Sequence, residues 1–548
     1  MAIGRIESLA GYFILLWGWK RNAASLIAGL VSAFALPPYH GFPILFVTFA
    51  IFIWLLDGAA TEPVAGFLGK GWSSFKVGWW FGFGYFISGL WWVGAAFLVE
   101  ADEFAWLMPF AVIVLPALLA IFWGLAAAFA RIFWGEDWHR IIVFSVFLAL
   151  AEYLRGTLFT GLPWNALGYA AMPIPLMMQS ASLIGIFGVT LLCIPVFAAL
   201  GVFTPKSALR PRGTTKMLIV ALALLLAHFG FGYWRLSQAS DDMVADVSLR
   251  LVQPAIAQEE KWLPEKEAEI FKRYLTLSTK EISATKEIPA EKKGLSGTTH
   301  LIWPESAFPF LLTERKDALA AIGAMLPEGT TLITGAARVE SSVAGQASGF
   351  VFNSIYTIDS EGVIASAADK VHLVPFGEYL PFQELAESLG LQQLTKIRGG
   401  FEPGNIRPLL SAMSGPAFLP LICYEIIFSG DVRPRGEGEE KPEWIVNLTN
   451  DAWFGMTPGP YQHLQQAIVR GVEEGLPVVR VANSGVSSVT DSYGRVQGQI
   501  ALGEMGVIDT PLPKPSAQTF FTQYSHWSFF VLAGIMFLAG ISGSRRVD

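Results

Sequence analysis

Cysteine is almost missing, with two in 548 residues, and that count excludes a framework of disulfides. Cys193 lies in an apolar run, Leu191-Leu192-Cys193-Ile194, and Cys423 is the only cysteine of the polar part of the chain. Charge is scarce as well. Asp, Glu, Lys and Arg make up 15% of the residues against 53% hydrophobic, which excludes an ordinary soluble enzyme. Positive charge is in deficit, and a net charge of -7 argues against a nucleic-acid partner. Internal repeats and low-complexity tracts are lacking too.

The apolar residues are unevenly spread. Up to Trp234 the chain is almost continuously apolar, from Ser237 to Ser516 it has globular composition, and one more apolar run follows. Spanning helices are expected at 23–37, 41–57, 77–98, 106–130, 141–158, 180–203 and 217–235, with a last one at 523–542. Ile3 to Trp19 is shorter and lacks a small-residue cleavage site before Lys20-Arg21, so we expect a retained interfacial or partly inserted helix. Pro37-Pro38-Tyr39-His40 suits a tight helical hairpin.

Basic residues set the orientation. Lys20 and Arg21, Lys70 and Lys76, Arg131 and Arg140, the group Lys206, Arg210, Arg212 and Lys216, and finally Arg545 and Arg546 all fall on one side of this arrangement. By the positive-inside rule both termini are cytoplasmic and the polar domain is extracytoplasmic. The expected domains are a membrane body at 1–236, a polar domain at 237–516, and a final helix with its tail at 517–548.

Within the polar domain short strands alternate with helices. Strands are expected at Val247–Val252, Thr299–Trp303, Thr331–Thr334, Phe350–Ile358, Trp444–Leu448 and Val478–Val481. Helices are expected at Glu265–Ile282 and Pro460–Glu474, and Asp491-Ser492-Tyr493-Gly494 reads as a hairpin turn. The alternation suggests layered α/β structure, with sites just beyond the strand ends. A further run, Phe418 to Phe428, reads as one strand with Cys423 and Glu425 inside it.

A thiol there is either inert packing or a nucleophile. Glu305 follows Leu301-Ile302-Trp303-Pro304, and Lys370 opens the run Lys370-Val371-His372-Leu373-Val374-Pro375-Phe376-Gly377-Glu378. A carboxylate, an amine and a thiol together suffice for acyl transfer: base, oxyanion stabiliser and nucleophile. Taken singly, Glu305 also fits a capping carboxylate and Lys370 a solvated amine.

Trp303-Pro304-Glu305, the Lys370–Tyr379 run and Cys423-Tyr424-Glu425 together resemble the nitrilase (carbon–nitrogen hydrolase) superfamily. With the membrane body, and with Asn450-Asp451-Ala452-Trp453-Phe454-Gly455 and Gln462-His463-Leu464-Gln465, the chain resembles the apolipoprotein N-acyltransferase family. The resemblance implies a polytopic helical membrane domain of about eight helices carrying an extracytoplasmic αββα sandwich. It implies Glu305 as general base, Lys370 as oxyanion stabiliser and Cys423 as acyl carrier. Glu378, Tyr424 and Glu425 match family residues beside the nucleophile, and Trp262 matches a tryptophan on a loop over the site. The implied reaction is ping-pong: an acyl chain passes from a phospholipid to Cys423, then to the N-terminal amine of a diacylglyceryl apolipoprotein. No metal or organic cofactor is implied, and a monomer in a bacterial inner membrane, with its catalytic domain on the periplasmic side, is expected. The sequence departs from the family at Pro254-Ala255, where Gly-Asn is usual.

Two other readings use the same residues: a membrane-anchored amidase whose thioester is resolved by water, and a non-catalytic lipid-binding protein. Glu425 is open between orienting the site and pairing with Lys370. Glu152 and Arg155 fit either a mutual pair or lipid headgroup contacts. Phe308-Pro309-Phe310-Leu311-Leu312 fits either core or a loop dipping toward lipid. His372 and His463 are expected to be hydrogen-bonding structural histidines, since recognisable metal-ligand spacing is lacking, and Asn447-Leu448-Thr449 to be buried strand and not a glycosylation site.

Overall fold

A computed structural model describes residues 2–60, 67–135, 137–205, 211–281, 294–340, 350–388, 393–395, 400–432 and 441–544. The chain divides into two compact units. One comprises Met1–Gly94, Trp106–Gln238 and Gln518–Asp548, and the other Ala95–Ala105 and Ala239–Ala517.

The first unit is helical. Among the described residues four helices are long and apolar enough to cross a membrane: Gly69–Leu98, Ala101–Phe133, His139–Thr160 and Gly213–Ser237. Ile44–Ala59, Ala181–Phe197 and Trp527–Ser542 are apolar but shorter. The chain begins with a helix at Ala2–Leu15, followed by another at Gly18–Ser32. Close approach here rests on a small residue: a Cβ at Gly29 would meet the Phe81 main-chain oxygen at 2.0 Å. Glu152 and Arg155 pair with each other at 2.7 Å, fully buried, and Glu152 also accepts from Trp123 Nε1 at 2.6 Å. Of the orienting residues, Lys206, Arg210, Arg545 and Arg546 lie outside the described residues.

Among the described residues the second unit holds eleven strands: β1 (Met243–Gln253), β2 (His300–Ile302), β3 (Thr331–Glu340), β4 (Phe350–Ile358), β5 (Ile364–Asp369), β6 (Phe418–Ile422), β7 (Trp444–Thr449), β8 (Val478–Ala482), β9 (Ser487–Thr490), β10 (Val496–Ile500) and β11 (Gly506–Pro513). They form two sheets, ordered β11-β1-β2-β3-β4-β5 and β10-β9-β8-β7-β6. β1, β2 and β3 are parallel, as are β6, β7 and β8. Crossovers supply the helices Glu267–Ser278, Lys316–Met325 and Gly459–Glu474.

The two-residue period of the strands separates the layers. Leu249, Leu251, Ile302 and Ile333 of the first sheet join Trp444, Val446, Leu448, Val479 and Val481 of the second in one buried core. The alternate residues Leu301, Trp303 and Leu332 pack with Ile270, Tyr274 and Ile322 of the flanking helices. The layers are therefore helix, sheet, sheet, helix. Each fully buried side chain of this kind contributes roughly 1.5–3 kcal/mol.

Two expectations are corrected here, and one open choice is decided. The strand expected through Phe428 stops at Ile422, and Cys423–Ile427 is a single turn of 3-10 helix. The carboxylate of Glu425 accepts the Ile422 N–H at 2.8 Å, and that bond turns the chain out of the sheet against its β-rich composition. Of the two readings left open for Phe308–Leu312, the core one holds: Phe308 and Leu312 are buried in the core and Phe310 packs against it. The helix expected from Glu265 runs from Glu267 to Ser278, with Ile282 outside the described residues.

Candidate active site

The site residues stand beyond the carboxyl ends of strands, where backbone leaves the sheet and side chains of separate elements converge. Glu305 lies three residues past β2. Trp303 N–H donates to Ile333 O at 2.9 Å, Gly335 N–H to Pro304 O at 3.2 Å and Ala307 N–H to Gly335 O at 2.8 Å, so the segment hugs β3. The approach requires glycine: a Cβ at Gly335 would lie 2.6 Å from Glu305 Cα. The next residue, Ser306, has φ +49°.

Lys370 directly follows β5. Its N–H donates to Asn353 O at 2.8 Å, and its Nζ lies 2.9 Å from Glu378 Oε1 and 2.8 Å from Oε2. Glu378 is held in turn by Val374 N–H, which donates to Oε2 at 2.8 Å. On β4, Asn353 Nδ2 bridges the two carboxylates, donating to Glu305 Oε1 at 2.8 Å and Glu378 Oε1 at 3.1 Å.

Cys423 is the first residue after β6. Its φ of +50° is left-handed, strained for a side chain other than glycine, and it occupies the corner that the Glu425 carboxylate closes. Glu425 also accepts from Val371 N–H at 2.9 Å, His372 N–H at 3.2 Å and Arg407 Nη2 at 2.8 Å. This answers the open question: Glu425 pairs with Arg407, Lys370 pairs with Glu378, and Glu425 ties the Cys423 turn to the lysine loop. Tyr424 is buried edge-on against Phe428 at 5.0 Å, and Phe428 stacks on His372 at 3.8 Å.

A second set of polar residues underlies the Cys423 turn. Asn447 and Arg480 are register partners on β7 and β8, on strand positions alternating with core residues. Arg480 donates to Asn447 Oδ1, and Asn447 Nδ2 lies 3.4 Å from Cys423 O. Arg480 Nη2 is 2.6 Å from Asp451 Oδ2, and Thr449 Oγ1 donates to Asp451 Oδ1 at 2.9 Å. The helix Gly459–Glu474 grips the same turn. His463 Nε2 donates to Cys423 O at 3.1 Å, and Arg470 donates to Ile426 O and Ile427 O, each at 3.0 Å.

Burial and neighbouring charge govern protonation. Burial raises the Cys423 thiol, the Glu305 charge raises it further, and Lys370 opposes both without cancelling them. The resting group is therefore a thiol, with Lys370 acting in the direction of the thiolate against burial and Glu305. Burial also raises Glu305, with Lys370 opposing, Glu378 adding to the rise, and Asn353 and Lys261 opposing. Burial alone would depress Lys370, but the charges of Glu378, Glu305 and Cys423 together lift it above its ordinary value, so it is an ammonium. Asp451 is held below the carboxylate range: burial works against ionisation, and Arg480 and His463 overcome it. Burial and Arg480 lower His463, opposed by Asp451 and by the hydrogen bond from Nε2 to the carbonyl of Cys423.

Cys423, Asp451 and His463 bring one donor atom each within 4.8 Å of one another, a juxtaposition hidden in the sequence spacing. These donors do not suit a cation. The Arg480 guanidinium stands 2.6 Å from Asp451 and 3.0 Å from His463 Nδ1, and His463 Nε2 is committed to Cys423 O. His463 is a hydrogen-bonding structural residue, and Asn447 is buried in its strand.

Trp262 is 53% exposed, on the turn before the helix Glu267–Ser278. Its neighbour Lys261 is the residue that reaches the site: it is buried, and its Nζ donates to Glu305 O at 3.3 Å. At the departure from the family pattern, Ala255 takes φ +49° and donates its N–H to Asn483 O at 2.9 Å.

An αββα domain with a thiol, a carboxylate and an ammonium beyond its strand ends defines a carbon–nitrogen hydrolase domain, and the Carbon-nitrogen hydrolase family model matches residues 250–520. The model described as Apolipoprotein N-acyltransferase N-terminal domain matches residues 28–200. An apolipoprotein N-acyltransferase of Brucella melitensis is 46% identical over 547 residues, covering 99% of each chain. One of Rhodopseudomonas palustris is 44% identical over 535 residues, covering 98% of this chain and 97% of the relative. Among solved structures, an amidase from a Nesterenkonia species aligns with 50% of this chain and 94% of its own, at 16% identity and a TM-score of 0.32. The chain belongs to the apolipoprotein N-acyltransferase family.

Proposed function

We infer that this enzyme transfers an acyl chain from a phospholipid to the N-terminal amine of a diacylglyceryl apolipoprotein, through a thioester on Cys423. One observation carries the assignment of roles: Asn353 joins Glu305 to Glu378, Glu378 holds Lys370, and Glu305 and Lys370 both act electrostatically on the Cys423 thiol.

In the first half-reaction the Glu305 carboxylate takes the thiol proton as sulfur attacks the ester carbonyl. The Lys370 ammonium and the low dielectric of the site stabilise the oxyanion. The carbon–oxygen ester bond breaks, the alkoxide takes the proton from Glu305, and a lysophospholipid leaves. In the second half-reaction the apolipoprotein amine attacks the thioester and Glu305 accepts a proton from nitrogen. The carbon–sulfur bond breaks, and the proton returns to sulfur. A thiol that is neutral at rest suits this scheme, because the proton moves only when a carbonyl is in place to receive the sulfur.

The membrane body is read as eight crossings, with the helix Ala2–Leu15 at the interface. Both termini are cytoplasmic and the catalytic domain is on the periplasmic face of the inner membrane, where a monomer meets both lipid substrates. The basic loops, the seven apolar helices among the described residues and, as an eighth, the helix Gly18–Ser32 support this. Curated relatives named as acyltransferases over the full length favour transfer above amide hydrolysis. Purified protein reconstituted with phospholipid and a diacylglyceryl peptide should N-acylate the peptide, and Cys423→Ala should not. Equal turnover by the two proteins would reject the assignment.

A further inference from the structure

Lys261 has no place in the reaction written above, yet its ammonium is 1% exposed. A buried ammonium is costly without a counter-charge. Among the described residues no carboxylate forms an ion pair with it. Its hydrogen bond goes to the Glu305 main-chain oxygen at 3.3 Å, and the carboxylate that acts on it is that of Glu305. On the adjacent side chain, the Trp262 ring centroid lies 6.0 Å from Nζ, at the outer limit of a cation–π contact and no substitute for a counter-charge.

The charges around Glu305 do not balance without it. Glu305 and Glu378 are two buried carboxylates joined by Asn353, and Lys370 is already held by both oxygens of Glu378. The groups facing Glu305 are Lys370 at the end of β5, Glu378 in the loop beyond it, Cys423 after β6, and Lys261 on the turn before the first crossover helix. With Lys261 counted, two ammonium groups meet two carboxylates around a neutral thiol.

We propose that Lys261 is a positioning residue for the general base: it pins the Glu305 main chain and supplies the second positive charge that keeps the Glu305 carboxylate ionised beside Glu378. The proposal rests on the reading of Glu305 as base. Burial lowers Lys261 to about 8, so it still carries its charge at neutral pH. The hydrogen bond adds a side-chain anchor at Glu305 O, beside the strained Ser306, to the main-chain bonds by which Pro304 and Ala307 hold the segment against β3.

The test is the pH dependence of Cys423 acylation by a labelled phospholipid, measured with the full-length protein in detergent micelles. Acylation rises with pH as Glu305 ionises, which gives a low-pH limb. Lys261→Gln keeps a donor and loses the charge, and should move that limb upward by on the order of one pH unit. Lys261→Met keeps the stem and loses both, and should move the limb in the same direction; Lys261→Arg should return it toward the parent. Glu305→Gln should abolish the limb. A limb unmoved in both neutral variants but lost in Glu305→Gln would overturn the role of Lys261 and leave the base intact. A limb that survives in Glu305→Gln would overturn the base assignment itself.

Discussion

Lys370 Nζ lies 2.8 Å from Glu378 Oε2, and both side chains are buried. The pair sets the position and charge of the group assigned to the oxyanion. Removing Glu378 strands a buried ammonium, at a cost of about 3–5 kcal/mol. Glu378→Ala should lower the unfolding midpoint and abolish acylation, whereas Glu378→Gln, which keeps the shape and the Val374 contact, should lose acylation with less loss of stability. Thermal unfolding and Cys423 acylation, measured on the same preparations, separate the two effects.

Gly335 tests the fit of the base to its strand. The added methyl of Gly335→Ala would meet Glu305 Cα at 2.6 Å and must displace the Pro304–Ser306 segment. A displacement of about 1 Å costs on the order of 100-fold in rate. Stopped-time acylation assays should show that loss, accompanied by a destabilisation of about 1–3 kcal/mol from overpacking.

Glu425 and Arg407 should behave as one unit. Glu425 closes the Cys423 turn through Ile422 N–H and is paired with Arg407, and each is 2% exposed. Either Glu425→Gln or Arg407→Met alone leaves a buried charge and should cost about 3–5 kcal/mol. The double variant should lose less than the two singles together, and alkylation of Cys423 by iodoacetamide should change in rate wherever the turn is released. Strict additivity in denaturant unfolding would show that the pair is not coupled.

Asp451 gives a pH signature in stability. Its folded-state value lies below the ordinary 3.8, so its contribution is complete above that pH and is lost as pH falls below it. The stability advantage of the parent over Asp451→Asn should therefore be constant above about pH 5 and shrink as pH falls from about 5 to about 2. A difference constant over that range would contradict the Arg480–Asp451 pairing.

One strand-end position, that of Glu305, was legible because it follows a short, recognisable strand. Trp303-Pro304-Glu305 leaves β2, and the Lys370 run leaves a strand that was itself not recognised. β5, with its sequence Ile364-Ala365-Ser366-Ala367-Ala368-Asp369, lacks the β-branched and aromatic residues that mark a strand, and pairing with β4 makes it one. Where β6 ends was not legible. Cys423 to Phe428 has strand composition, but a carboxylate three residues ahead captures the Ile422 N–H, a local bond that composition does not report. The polar support beneath Cys423 was hidden for another reason. Asn447, Asp451, His463 and Arg480 are separated in sequence, and only the parallel register of β7 with β8 and the packing of the following helix bring them together. Lys261 was overlooked beside Trp262, since one charged residue within Gln258-Glu259-Glu260-Lys261 looks like solvated turn.

The central claim is that Cys423 carries the acyl chain. Mass spectrometry of the purified protein after incubation with a labelled phospholipid should find one acyl group on the peptide containing Cys423. The adduct should be labile to hydroxylamine and should disappear when a diacylglyceryl peptide with a free amine is added. An enzyme that acylates the peptide while Cys423 never bears the label, or bears it and cannot pass it on, would contradict the account.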